Sequence, residues 1–353
     1  MSAVLSLLRP GILALAPYSP AQWDPALVRL HANENPWRSE FDSTRAGLNR
    51  YPEPQSSELA SALAALYGVQ ASQVTVGRGS DEGIDLLVRA FCADGRSEVV
   101  ICPPTFAMYR FAAAVQGAAV IEVPLRAAEG FSLDAEAVIA ACTPDTRLLF
   151  LCSPNNPTGN ALDRANIERI LSTLAERAVV VVDEAYVEFS DQGSLVPLLA
   201  RHANLVILRT LSKAFGLAGA RCGAILASAE LTEVLRRIVP PYAVTVQTIE
   251  AVLDALAPKR RAGSAARIER LRAERERLSA HLAALPLVDQ VWPSQTNFLL
   301  LRSADAGRLL AAGIRGGLLV RDVRSQPGLG NCLRVSIGTP DQNDRLVASL
   351  EFA

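Results

Sequence analysis

Six short runs of almost wholly apolar residues constrain this chain more than any other feature in it. They are Val74-Thr75-Val76, Val99-Val100-Ile101-Cys102, Leu148-Leu149-Phe150-Leu151, Val179-Val180-Val181-Val182, Leu205-Val206-Ile207-Leu208 and Gly223-Ala224-Ile225-Leu226. A strand with one wet face alternates apolar and polar residues, whereas a strand buried on both faces is apolar throughout. Runs of this kind predict strands of a sheet covered by helices on both sides. Helix-like segments, residues 82–91 and 164–177 among them, lie between the runs. That alternation predicts an α/β layer architecture with a mostly parallel sheet.

The pattern changes after residue 243. Residues 260–285 predict one long amphipathic helix, with Ile268, Leu271, Leu278, Leu282 and Leu285 at helical spacing. Its arginines are interleaved with Glu269, Glu274 and Glu276, as on a solvated helix face. Residues 296–301, 318–320 and 333–337 then resemble strands of a smaller α+β domain. With 353 residues the chain has the length of about two domains, at roughly 150 residues each.

Composition removes several classes of function. Lys and Arg number 35 against 36 Asp and Glu, a formal net charge of −1, which argues against a protein built mainly to hold nucleic acid or an anionic membrane. Half of the residues are hydrophobic, which argues against disorder. Cys92, Cys102, Cys142, Cys152, Cys222 and Cys332 contain no C-x-x-C pair and read as buried small hydrophobes of an intracellular chain. His31, His202 and His281 show no ligand spacing, so no metal site is expected. The apolar start of the chain lacks a basic leader and is cut by Arg9-Pro10. No stretch approaches the ~20 apolar residues of a membrane span, and the expected location is the cytoplasm.

Candidate chemistry sits at the ends of the apolar runs, where open α/β sheets bind ligands. Val179–Val182 leads into Asp183-Glu184-Ala185-Tyr186. A carboxylate there suits a helix cap, a metal ligand or the partner of a protonated heterocyclic nitrogen. Leu205–Leu208 ends in Arg209-Thr210-Leu211-Ser212-Lys213, with Arg221 further on. A lysine between a buried strand and a glycine-containing turn can lose its proton and form a Schiff base. Thr210, Ser212 and Arg221 suit a phosphate dianion. Ser153-Pro154-Asn155-Asn156-Pro157-Thr158-Gly159 follows a third strand; turn chemistry explains its Pro and Gly, but not its two carboxamides. Gly77-Arg78-Gly79-Ser80-Asp81-Glu82-Gly83 is one residue too long for a dinucleotide fingerprint and lacks the P-loop G-K-[ST]. It still turns into a helix N-terminus, where free N–H groups receive an anion.

One phosphate, one Schiff-base lysine and one buried aspartate make a specific set. On these residues the chain resembles the fold-type I pyridoxal-phosphate aminotransferases, and within them the branch acting on histidinol phosphate. The resemblance also covers Leu30-His31-Ala32-Asn33-Glu34-Asn35-Pro36, Arg50-Tyr51-Pro52 and Leu333-Arg334-Val335-Ser336-Ile337-Gly338-Thr339, in order from about residue 30 to 345. It implies an N-terminal arm (1–38) packed with the small domain or a dimer partner, a large cofactor domain (39–245) and a small α+β domain (246–353). It implies pyridoxal 5′-phosphate, with Lys213 as Schiff-base and proton-transfer residue and Asp183 on the pyridinium nitrogen. Asn156 and Tyr186 would bond the phenolic oxygen. Gly79, Ser80, Asp81, Thr210, Ser212 and Arg221 would hold the phosphate, and Phe106 would stack on the ring. Tyr51 would reach the phosphate of the neighbouring subunit, which makes a homodimer necessary for a complete site.

For the substrate, the resemblance implies Arg334 and Arg321 as two guanidiniums that receive either the phosphate of histidinol phosphate or the carboxylates of glutamate and 2-oxoglutarate. Tyr18, Asn33 and Tyr242 would complete that end. The chain departs from the family pattern at Phe106, often tyrosine, at Ala243, often asparagine, and at Trp37, often glycine. A threonine-phosphate decarboxylase, a broad aromatic aminotransferase and a non-catalytic sensor domain share the fold and stand as the alternatives.

Overall fold

The computed structural model describes residues 3–16, 18, 24, 26–93 and 95–351; positions 1–2, 17, 19–23 and 25 of the expected arm lie outside the described residues. Seven strands form the larger sheet: β1 (Val74–Gly77), β2 (Glu98–Ile101), β3 (Ala119–Glu122), β4 (Thr146–Cys152), β5 (Val179–Asp183), β6 (Leu205–Thr210) and β7 (Gly223–Leu226), in the order β1-β7-β6-β5-β4-β2-β3. The runs β3-β2-β4-β5-β6 are parallel, while β7 is antiparallel to both β6 and β1. This is the mostly parallel, helix-covered α/β sheet expected from continuous apolarity. Leu148, Val179, Val180, Val181, Val182, Leu205, Val206 and Ile207 are wholly buried. The two faces feed separate cores, one with Val180, Val182 and Ile207, the other with Val179, Val181 and Val206.

The insertion of β7 positions the site. Because β7 runs against its neighbours, its first residue Gly223 lies opposite both Thr210, the last residue of β6, and Gly77, the last residue of β1. A Cβ on Gly223 would stand 2.6 Å from the carbonyl oxygen of Arg209 and 2.8 Å from Gly79 Cα, contacts that only glycine avoids. The close approach draws the Gly77–Ser80 turn onto the end of β6.

Four strands form the smaller sheet, in the order β10-β11-β9-β8: β8 (Gln290–Val291), β9 (Phe298–Arg302), β10 (Arg321–Asp322) and β11 (Cys332–Ser336). The expected strand at 318–320 is displaced by a few residues. Leu319 is exposed, and pairing begins only where Arg321 meets Arg334. The long helix is present as Pro258–Ala283, with Leu278 and Leu282 buried against the small sheet. Its Arg275 is buried and donates to the carbonyls of Phe189 and Thr296, joining the two sheets' layers.

The start of the chain differs from the expected arm. Val4 and Leu8 are buried in the large-sheet core with Ile84, Leu87, Leu231 and Leu235, and the Arg9 N–H donates to the Ala90 carbonyl. Val4, on the short helix Ala3–Ser6, and Leu8, just beyond it, both face that core. Residues 27–51, by contrast, present Leu27, Val28, Leu30, Trp37 and Phe41 to solvent. The six cysteines are buried and free. Among the described residues, no helix is long and apolar enough to cross a membrane.

Candidate active site

A cavity of about 360 Å³ opens at the carboxyl ends of β4, β5 and β6 and is closed on its far side by the small sheet. Twelve of the residues singled out in the sequence line it: Ser80, Asp81, Phe106, Asn156, Asp183, Tyr186, Thr210, Ser212, Lys213, Arg221, Arg321 and Arg334. They come from points as far apart in sequence as residues 80 and 334, so the fold, not local spacing, assembles the set.

Asp183 forms the floor. It ends β5 beside Cys152, the last residue of β4, and is only 2% exposed. Its carboxylate accepts hydrogen bonds from the Tyr109 hydroxyl at 2.9 Å and the Ala185 N–H at 3.1 Å. Burial outweighs these bonds and pushes the carboxyl from its ordinary 3.8 up to about 6. A cation placed against it would reverse that shift.

Lys213 reaches into the mouth of the cavity, with Nζ 5.7 Å from the Tyr186 ring centre. Its amine titrates below the ordinary lysine range, first because surrounding protein desolvates the cation and then because Arg334 repels it. The Tyr186 phenol is pushed upward by burial and stays neutral. Its ring meets Phe298 edge-on at 5.2 Å.

An anion cradle occupies one end. Helix α1 (Ser80–Phe91) starts after Gly79 with no side-chain cap on its first N–H groups among the described residues. Those groups carry the positive end of the helix dipole. Thr210 donates to Ser212 Oγ at 2.9 Å, and Arg221 donates to the same oxygen at 3.2 Å. Arg221 also pairs with Asp81 at 3.4 Å. Gly79 itself lies outside the lining; at φ +94°, a Cβ there would come 2.9 Å from Arg221 Nη2. Arg221 is held at φ 53°, ψ 60°, a left-handed conformation that costs a non-glycine residue roughly 1–2 kcal/mol. That strain aims its guanidinium back at the start of α1.

The other end carries two more guanidiniums. Arg321 and Arg334 are direct partners in the β10–β11 register, an arrangement in which like charges repel. Arg334 donates to Asn156 Oδ1 at 2.5 Å, and its buried Nε has no partner among the described residues. Burial and then Arg321 lower its affinity for the proton. Such a pair is stabilised by an anion received between the two.

Tyr18, Asn33, Tyr51 and Tyr242 do not line this chain's own cavity. Tyr18 and Asn33 are exposed. Tyr51 stacks on Tyr242 with ring centres 4.5 Å apart. The sequence reading missed Tyr109, three residues into the chain beyond Phe106, and also Cys152 and Gln326 on the wall. The available signal was slight: Tyr109 sits in the first turn of a helix whose Ala112 and Ala113 are also buried, where a buried hydroxyl needs an acceptor.

The residues present fit pyridoxal phosphate: a floor carboxylate needing a cation, a lysine of lowered proton affinity, and an uncapped helix start beside Thr210, Ser212 and Arg221. The chain matches the family aminotransferase class I and II over residues 28–350. It is 48% identical over 351 residues to a histidinol-phosphate aminotransferase of Stenotrophomonas maltophilia, covering 98% of this chain and 96% of that one. It is similar in structure to histidinol-phosphate aminotransferase from Sinorhizobium meliloti in complex with pyridoxal-5′-phosphate, with a TM-score of 0.77, 25% identity and coverage of 86% and 83% of the two chains. L-threonine-O-3-phosphate decarboxylase from Porphyromonas gingivalis gives a TM-score of 0.74 at 27% identity, with coverage of 86% and 90%.

Proposed function

The chain belongs to the class I and II aminotransferases, within them to the histidinol-phosphate aminotransferases, and from that membership we infer the reaction of this cavity. It transfers the amino group of histidinol phosphate to 2-oxoglutarate, in two half-reactions, giving imidazole acetol phosphate and glutamate. The observation that carries the reading is the joining, in one cavity, of a cofactor-type phosphate cradle with the paired Arg321 and Arg334 at the opposite end.

Each side chain has a task that follows from its surroundings. Thr210, Ser212, Arg221 and the start of α1 hold the cofactor phosphate. Phe106 would cover the ring face, and Asn156 and Tyr186 would bond its phenolic oxygen. Asp183 would hold a positive ring nitrogen. Pyridoxal phosphate, when bound, supplies an electron sink for the electron pair left at the substrate carbon. Lys213 would anchor the cofactor and, once freed, take the proton from the carbon bearing the amine and deliver it to the cofactor's C4′. Its lowered proton affinity leaves it basic yet able to be neutral. Arg321 and Arg334 receive the substrate phosphate in one half-reaction and the carboxylates of 2-oxoglutarate in the other.

The working unit is a homodimer made of an arm (1–38), a large domain (39–245) and a small domain (246–353) per chain. Support comes from the row of exposed apolar side chains between Leu27 and Phe41, which a second copy would cover. The stacked Tyr51 and Tyr242 then face the partner's cavity, and Tyr18 and Asn33 close over the substrate when the arm settles. Six free buried cysteines accord with a cytoplasmic enzyme.

Turnover of histidinol phosphate, phenylalanine and threonine phosphate in one preparation tests the substrate. Histidinol phosphate should dominate. A strong preference for phenylalanine, or carbon dioxide release from threonine phosphate, overturns the reading. Arg321→Ala should lower kcat/KM for histidinol phosphate by about 10- to 100-fold, the loss of one charge-assisted contact. Cofactor retention, measured by visible titration, should stay unchanged.

A further inference from the structure

A buried phenol stands behind the carboxylate at the floor of the cavity. Tyr109 sits in the first turn of helix α2 (Met108–Gln116) and is 0% exposed. Its ring lies parallel to Phe150 at 4.8 Å and edge-on to Phe106 at 5.7 Å, so packing fixes it on two sides. Among the described residues, its hydroxyl is the only side-chain donor to the Asp183 carboxylate, at 2.9 Å from Oδ2. The Ala185 N–H occupies Oδ1. A donor aimed at a carboxylate favours its ionised form.

Charged and titratable groups face Asp183 from each neighbouring element. Asp81, at the start of α1, opposes its ionisation, and Lys213, beyond β6, favours it. Cys152, ending β4, and Tyr186, beyond β5, are pushed upward by burial and stay neutral. Tyr109 thus supplies the one neutral side-chain bond that offsets burial.

We propose that Tyr109 is a positioning residue for the aminotransferase reaction: its O–H aims the Asp183 carboxylate into the cavity and keeps it anionic, so that the proton shared with the cofactor's ring nitrogen stays on the nitrogen. The inference rests on the reading of the cavity as the cofactor site. Without that bond the carboxylate gains proton affinity and draws the shared proton toward itself. The ring then withdraws electrons less effectively.

The test uses holoenzyme loaded with pyridoxal phosphate carrying ¹⁵N in its ring, observed by NMR near neutral pH. Wild type should show a protonated nitrogen, and Asp183→Asn the unprotonated reference. Tyr109→Phe should move the resonance toward that reference and lower kcat roughly tenfold, the worth of one hydrogen bond to a charged group, with KM little changed. Fluorotyrosine at position 109, the same shape with a stronger donor, should keep the wild-type resonance, and it serves if the phenylalanine variant does not fold. A Tyr109→Phe holoenzyme with the wild-type resonance, or a fluorotyrosine protein that loses it, overturns the proposal. Wild type that takes up no cofactor overturns the cofactor-site reading, a result distinct from either.

Discussion

Alanine in place of Lys213 lowers kcat by about 10⁴-fold or more, the upper range of what a positioned acid–base group supplies. The Lys213→Ala protein should still take up pyridoxal phosphate, because Asp183 and the phosphate cradle remain. Its stability should also respond to pH in a defined way. Lys213 titrates below its ordinary 10.5, so the unfolded chain binds more protons in the window just beneath that value. Wild-type stability therefore gains as pH rises toward 10.5, and the alanine variant lacks that gain. Single-turnover kinetics and melting curves over pH check both statements; a variant with near-normal turnover contradicts the first.

Asp183→Asn separates activity from stability. Activity should fall by about 10²- to 10³-fold, as when one preorganised electrostatic partner is removed. In the cofactor-free protein the same change should stabilise. Burial raises the carboxyl from 3.8 to about 6, which at 1.36 kcal/mol per pKa unit is worth roughly 3 kcal/mol. The sign follows from a raised pKa: stability is intact below about pH 4 and is lost as pH climbs through about 6. Cofactor-free Asp183→Asn should thus melt above wild type at pH values beyond 6 and match it below 4. Equal melting differences at both ends would show that Asp183 carries no buried-charge penalty. On the proposed reading, the wild-type carboxylate is held ready, at a cost in stability, for a cation that the cofactor would bring.

Much of this was legible because the large sheet buries both faces. The six apolar runs became six of its strands, and the polar residues at their ends became the cavity wall. Edge and pairing details were less readable. β3 is a partly exposed edge strand whose Ala119 and Glu122 face solvent, so its sequence carries no continuous apolar signal. The antiparallel β7 brings Gly223 against Gly79, a long-range contact that no local pattern encodes. β10 starts at Arg321 rather than three residues earlier because its pairing is set by β11, not by its own apolarity.

In the site, Lys213, Asp183 and the cradle residues were recognisable as an ordered set of motifs. Tyr109 was not, since a tyrosine on the buried face of a helix looks like core until Asp183 is seen 2.9 Å away. Tyr51 and Tyr242 could be named from the resemblance, yet in one chain their rings stack on each other outside the cavity lining.

Borohydride reduction followed by peptide mass spectrometry tests the central claim most directly. The loaded wild-type protein should be yellow, lose its visible absorbance on reduction, and carry the pyridoxyl adduct on Lys213. An adduct on another lysine, or none, would contradict the account.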